Sequence, residues 1–339
     1  MLEGDRWESD GFQWWQQVYL LSQEGFATDS ILSVSIQIDA KDSSKRSIVM
    51  DQPNFGLDRE FLVRGPDDPN VKHYFDFMRS TANLMGAEQT DETDDELKDA
   101  LLFEIELARL SGKGIEIMYL KEGKVQLKLF LDAQEDRRND TALYNPFVLE
   151  EIEIREGHPP SWVDFVNDLI EENNIQTSEV VILRNIKYLR EMAPIIARAD
   201  ARTVSNYLMW RAIMSKMPDL NAEAGEVRET FNRKVFGIAS DPPRWKKCVG
   251  EVGFESYGDN NLRVVAGSMY VREYFVPEAK DEMVDMIGNI KAAFRRTLEE
   301  VGWMDEVTRA RALNKLSEMK DFIAYPDELT NEALGSLNK

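Results

Sequence analysis

Two histidines and one cysteine in 339 residues leave this chain almost without the side chains that usually bind metals or act as nucleophiles. A catalytic zinc takes about three protein ligands drawn from His, Cys, Asp and Glu. The helical His-Glu-x-x-His pattern, which sets two imidazoles on one face with a general-base Glu between them, occurs nowhere. His73, in Lys72-His73-Tyr74-Phe75, and His158, in Gly157-His158-Pro159-Pro160, lie in separate segments, and neither has a second histidine one helical turn away. A site using both with a carboxylate would need the fold to join distant segments. Satisfied or solvent-facing histidines are the simpler expectation, so no catalytic, cofactor-binding or metal residue is assigned and no cofactor is expected in this chain. The sequence also lacks GxGxxG, GxxxxGK[ST], GxSxG and CxxC, which removes the usual entry points for dinucleotide, P-loop, serine-hydrolase and zinc-ribbon chemistry. No run of about 18 apolar residues and no charged-then-apolar opening segment is present, so neither a membrane span nor a targeting signal is read here. Lys and Arg number 41 against 62 Asp and Glu, a net charge of −21. A nucleic-acid backbone would therefore be repelled instead of releasing counterions on binding.

What is present is ample material for a core, with 43% hydrophobic residues and a length that suggests about two domains. Trp7, Phe12, Trp14, Trp15, Val18, Tyr19 and Leu20 recur at helical spacing and predict core packing. Ile31 to Ile38 alternates apolar and polar residues, and Ile48-Val49-Met50 follows a polar turn, which predicts a hairpin. Pro69 to Met85 reads as an amphipathic helix ended by Gly86. The acidic run Asp91 to Asp99 is no calcium loop, because Glu96 stands where the sixth-position Gly should be and Leu102 where the twelfth-position Glu should be. It reads as a solvated first turn of a helix that continues through Leu107. Residues 112–130 alternate about Glu122-Gly123 and predict a second hairpin. Pro159-Pro160-Ser161 opens a helix at Trp162, Ser178 to Leu183 reads as a short strand, and beyond Asn145 the pattern is otherwise predominantly helical. Helices are predicted over 188–199, 201–217, 231–236, 262–274, 280–301 and 305–322, with Gly302 breaking the last two. Adjacent acids such as Glu171-Glu172 and Glu299-Glu300 point about 100° apart on a helix and do not converge on a substrate. No repeat of fixed period argues for a solenoid. The expected fold class is mainly α, a multi-helix lobe with small β-hairpins.

Several motifs occur in order along the chain: Asp51-Gln52-Pro53 with Gly56-Leu57, Arg137-Arg138-Asn139-Asp140 running into Leu143-Tyr144-Asn145, and Asn206-Tyr207-Leu208-Met209-Trp210-Arg211. Arg244-Trp245-Lys246-Lys247-Cys248, Trp303-Met304-Asp305 with the following Arg309-Ala310-Arg311-Ala312, and Tyr325-Pro326-Asp327 complete the series. Together they resemble the neprilysin and endothelin-converting-enzyme-like zinc metallopeptidases. The resemblance implies an N-terminal helical domain over 1–325, with 326–339 opening a linker toward a catalytic domain. In that family the zinc motif, its downstream Glu ligand and a substrate-gripping Asn-Ala segment all follow the matched region. Zinc-assisted hydrolysis of small peptides thus belongs to a full-length parent, and this chain alone is expected to be inactive. Its implied role is a non-catalytic lobe covering and shaping the substrate cavity; the alternative is a standalone, catalytically inactive protein that binds peptides or a partner. The implied partners are the catalytic domain and small peptides, and the implied location is an extracellular or membrane-anchored ectodomain. Asn206, Tyr207, Trp210, Arg211, Trp245, Trp303 and Asp305 carry the family signature as structural residues. Arg211 is read as paired with a neighbouring acid in preference to an anion anchor. Cys248 stands where the family carries a disulfide-forming cysteine whose partner lies upstream, so an orphan half-cystine is expected; a buried free thiol and a catalytic thiol are the alternatives. Asn139-Asp140-Thr141 has the form of a glycosylation sequon. The hairpin at 112–130 departs from the family pattern, either as a lineage-specific insertion or as translated non-coding sequence.

Overall fold

The computed structural model describes residues 7–325 except 112–114, 120–124, 130–139, 171–173, 239, 241 and 254–261. Asn139, the turn of the 112–130 hairpin and the 326–339 segment lie outside the described residues.

Helix starts follow local capping chemistry. In α1 (Trp14–Gln23) the residues Trp14, Val18 and Leu21 recur on one face and are buried. After the single-turn α2 (Arg59–Leu62), Asp68 caps α3 (Pro69–Leu84) by accepting from the Asn70 N–H. Pro69 fills the first helical position, where an N–H has no partner to lose. Gly86, at φ +95°, follows the end of α3 in the left-handed region that glycine adopts without a Cβ penalty. Thr90 caps α4 (Asp91–Leu110) through the Thr93 N–H, and Asp91, Glu92 and Asp94 sit in its first turn. The acidic run is thus a helix start stabilised by the N-terminal dipole.

Strands β1 (Ser33–Ile38) and β2 (Arg46–Asp51) form the expected antiparallel hairpin, in register from Ser33–Asp51 to Ile38–Arg46. Asp39 ties its turn together. The carboxylate accepts from the Lys41 and Asp42 N–H groups and from the Ser47 and Tyr144 hydroxyls. Led by the Ser47 bond, these contacts hold its pKa down at about 2. Backbone pairing also joins β3 (Ile115–Tyr119) to β4 (Val125–Leu129) as a hairpin.

The single-turn α5 (Asp140–Leu143) leads into β5 (Asn145–Val148), which the predominantly helical reading beyond Asn145 misses. Its Pro146 suits an edge strand, where a lost donor costs no ladder bond. Past α6 (Trp162–Ile170), β6 (Val180–Leu183) inserts between β2 and β5, parallel to the first and antiparallel to the second. The four-stranded order β1-β2-β6-β5 turns the predicted hairpin and isolated strand into one sheet. Helices α7 (Ile186–Arg198), α8 (Ala201–Lys216) and α9 (Ala222–Phe236) follow. Then come α10 (Arg244–Gly253), α11 (Leu262–Tyr274), α12 (Pro277–Glu300) and α13 (Glu306–Glu318). The fold is mainly helical, as expected from sequence. Two compact units divide it, Met1–Asp241 and Pro242–Lys339; the division falls inside the span read from sequence as one domain.

The first unit holds a continuous core drawn from its helices and the sheet. Phe77 stacks on Phe231 at 4.7 Å and meets Trp210 edge-on at 5.2 Å, joining α3, α9 and α8. Near the other end, the Trp14 indole N–H donates to the Gly157 carbonyl at 2.9 Å. His158 beside it is buried and engaged at both nitrogens: Nδ1 accepts from the Arg155 N–H, and Nε2 lies 2.7 Å from the Leu189 carbonyl, to which it donates. That arrangement fits only the neutral ring. Burial, the largest influence, holds the imidazole below its ordinary value of 6.5. As pH falls, the unfolded chain therefore takes up this proton before the folded one does. The His158 contribution to stability is complete above pH 6.5 and is lost as pH drops through the folded value. We expect the urea midpoint to fall between pH 7.5 and 5.5, with a flatter profile in His158→Gln; identical slopes would remove His158 as the cause.

Candidate interaction surface and the signature network

Helix α8 places Tyr207 and Arg211 one turn apart, and likewise Asn206 and Trp210. All four reach residues distant in sequence. Glu104, on α4, is completely buried and receives three donors: the Gly56 N–H at 2.7 Å, the Tyr74 hydroxyl at 2.9 Å and Arg211 Nη1 at 3.4 Å. The Trp210 indole N–H donates to the Tyr74 oxygen at 2.7 Å. Tyr207 donates to the Ser30 carbonyl, and Arg211 also reaches the Asn54 carbonyl at 2.6 Å. Burial pushes the Glu104 carboxyl up from its usual range, while Arg211, the Gly56 amide and Tyr74 pull it back. Asn206 donates to Glu96, which also pairs with Arg202. These contacts hold the Asn54–Gly56 loop against three helices. Arg211 is thus paired with an acid and a backbone carbonyl.

No motif marks Glu104 in the sequence, although a signal exists. Leu97, Leu101, Glu104 and Ala108 follow helical spacing on the buried side of α4. A lone acid on an otherwise apolar stripe needs a buried cation or several donors. Gly56 is equally constrained, since a Cβ there would lie 1.9 Å from the Tyr74 hydroxyl.

The other signature residues lie in the second unit, in different surroundings. Asp305 caps α13, accepting from the Thr308 N–H and hydroxyl, which lower its pKa. Trp245 on α10 is 68% exposed and Trp303 is 76% exposed. Among the described residues of this unit, only Ser268, Leu298 and Leu316 are buried. The 24-residue α12 exposes Met283, Met286, Ile290 and Phe294, spaced three, four and four residues apart and therefore on one face. Glu282 and Asp285 border that stripe. Contiguous exposed apolar faces are enriched at interaction sites.

Cys248 is a free, exposed thiol on α10, which removes the reading of it as a buried hydrophobe. We expect it to react with a thiol reagent in the native state as fast as in urea, scored by mass spectrometry. Protection in the native state would contradict the exposure.

The residues described do not fit a catalytic zinc. Among them, no three His, Cys, Asp or Glu side chains are grouped to hold a metal ion. His158 already uses both ring nitrogens, and His73 faces Asp76 one turn along α3 at 4.0 Å. The sequence candidates are thus not brought together.

The family model described as Peptidase family M13 matches residues 1–326. Neprilysin-2 of Drosophila melanogaster is 30% identical over 99% of this chain and 42% of its own length. Human neprilysin is 28% identical, over 89% of this chain and 38% of its own. The chain therefore spans about two fifths of the curated relatives it matches. Among solved structures, the zinc metalloprotease Zmp1 of Mycobacterium tuberculosis, in complex with inhibitor, superposes with a TM-score of 0.66. It is 20% identical, covering 96% of this chain and 47% of that one. PepO of Lactobacillus rhamnosis HN001 gives 0.65 at 17% identity, covering 91% and 44%. At these identities the structural likeness concerns the fold.

Proposed function

Because this chain belongs to peptidase family M13, we propose that it forms the non-catalytic helical lobe of a neprilysin-like zinc metallopeptidase, covering and shaping the cavity in which small peptides are cut. The observation that carries this reading is the uneven burial of the two units. The first unit closes a full core, while the second presents the α12 stripe, Trp245 and Trp303 to solvent. A surface of that composition calls for a further polypeptide, and the zinc-bearing part of the enzyme is the partner the family supplies. Zinc, held there, would activate water and polarise the scissile carbonyl. In this reading the described residues of the chain contribute walls and positioning, and the metal ligands come from the zinc-bearing part.

No helix among the described residues is long and apolar enough to cross a membrane. The human relative named membrane metallo-endopeptidase-like 1, 29% identical over 97% of this chain, supports placing the lobe in an extracellular or membrane-anchored ectodomain.

The test begins with peptide hydrolysis and metal content of the purified chain, with and without added zinc and chelator. We expect neither stoichiometric zinc nor chelator-sensitive cleavage. In parallel, the chain alone should self-associate on sizing chromatography and bind a hydrophobic dye, and a double Met286→Glu, Ile290→Glu variant should lose both properties. Chelator-sensitive cleavage tracking bound zinc would overturn the proposal, whereas a dye-silent monomer would favour a self-sufficient binding protein.

A further inference from the structure

The first unit contains a cavity of about 350 Å³ between α1, α3, α4 and α8 that no part of the proposed function uses. That volume lies within the roughly 300–1,000 Å³ range of small-molecule sites. We infer that it is a binding site for a neutral, compact aromatic or branched-aliphatic molecule carrying one hydrogen-bonding group.

The lining sets each part of that description. Among the described residues no charged side chain lines the cavity, and an ionised ligand would lose its hydration there without gaining a partner from them. Three methionines, Met78, Met85 and Met209, form much of the wall. Thioethers are polarisable, adapt to irregular shapes and make favourable contacts with ring edges, so an aromatic guest suits them. Trp210 supplies a rigid wall, because its N–H is fixed on Tyr74 and Phe77 packs on it edge-to-face. A wall held in place before binding spares the ligand the cost of ordering it.

The polar component comes from Thr81. It is 1% exposed, lines the cavity, and its hydroxyl oxygen has no hydrogen-bond partner. A threonine in mid-helix ordinarily returns its hydroxyl to the preceding turn. An unsatisfied hydroxyl beside a cavity of this size is a cost that a ligand hydroxyl or amide relieves. Gln17 Oε1, on the facing helix α1, is likewise buried and without a partner.

The experiment is a titration of the full chain, labelled with 13C at the methionine methyls, with benzyl alcohol as probe. Toluene and phenylacetate serve as matched comparisons. We expect saturable shifts of the Met78, Met85 and Met209 methyls with benzyl alcohol, weaker ones with toluene, and none with phenylacetate. Ala82→Phe, which fills the cavity, should weaken benzyl alcohol binding by about tenfold or more, as should Met209→Trp at the half-exposed edge. Thr81→Val should remove the preference for benzyl alcohol over toluene while leaving toluene binding in place. The inference is overturned if the three methyls do not shift saturably, if both filling variants fold and bind as the parent does, or if shifts are confined to methionines of the second unit. None of these outcomes depends on peptidase activity or on the second unit's apolar stripe.

Discussion

Arg211→Met is expected to destabilise the first unit by about 3–5 kcal/mol, the cost of leaving a buried charge without its counter-ion. Against a total stability of roughly 5–15 kcal/mol, that is enough to unfold a substantial fraction of molecules at physiological temperature. Glu104 would retain two neutral donors, the Gly56 amide and the Tyr74 hydroxyl, but lose the only cation that reaches it in the described structure. Pairing Arg211→Met with Glu104→Gln should recover much of the loss, because the charge requiring compensation is then gone. A double-mutant cycle on urea midpoints isolates this coupling.

The sign of the pH dependence supplies an independent check. Without Arg211 the folded Glu104 carboxyl rises further above its ordinary value of 4.5. The penalty in Arg211→Met is then absent below pH 4.5 and grows as pH rises toward the folded value. The gap between parent and variant should be narrow at pH 4 and wide at pH 7.5. A gap independent of pH would mean that lost packing, and not an orphaned carboxylate, is responsible.

The network also shows what periodicity and motifs make legible. The Tyr207-Leu208-Met209-Trp210-Arg211 stretch announces itself through its motif, and Arg211 suggests an acidic partner. That partner, Glu104, lies 107 residues away and is marked only by its place on an apolar face. Helices are legible wherever a cap and a spacing coincide, as with Asp68 and Pro69 at the start of α3 or Thr90 at the start of α4. The sheet is less so. Pairing Met50 with Leu183 joins segments with nothing local to announce the contact, and four-residue β5 contains a proline that reads as a breaker. Periodicity finds α12 but does not say which way its apolar stripe faces. The same i, i+3, i+7 pattern serves a core and an interface alike. Trp245 and Trp303 are the sharpest instances: their motifs are conspicuous in the sequence, while their exposure comes only from the fold.

The second large effect concerns Gly157, where a single methyl group meets the backbone of another helix. A Cβ there would lie 2.1 Å from the Ala193 carbonyl oxygen and 2.9 Å from its carbon, in the middle of α7. The obstacle is main chain, so no rotamer change can clear it. Gly157 also sits at φ +96°, where a side chain is strained whatever the space around it. We expect Gly157→Ala to cost about 3 kcal/mol or more, combining backbone strain with overpacking. Relief by moving residue 157 outward would break the Trp14 bond to its carbonyl and displace His158 from Leu189, so the damage spreads to α1 and α7. Two glycines separate the contributions. Gly237→Ala, at φ +69° with open space around it, carries the strain alone. Gly225→Ala, inside α9 with nothing nearby, should be neutral or stabilising by about 0.5–1 kcal/mol. Chemical denaturation should rank the three variants in that order of loss. If Gly157→Ala falls within about 1 kcal/mol of Gly237→Ala, the steric contribution assigned to Ala193 is wrong and strain alone explains why glycine stands at position 157.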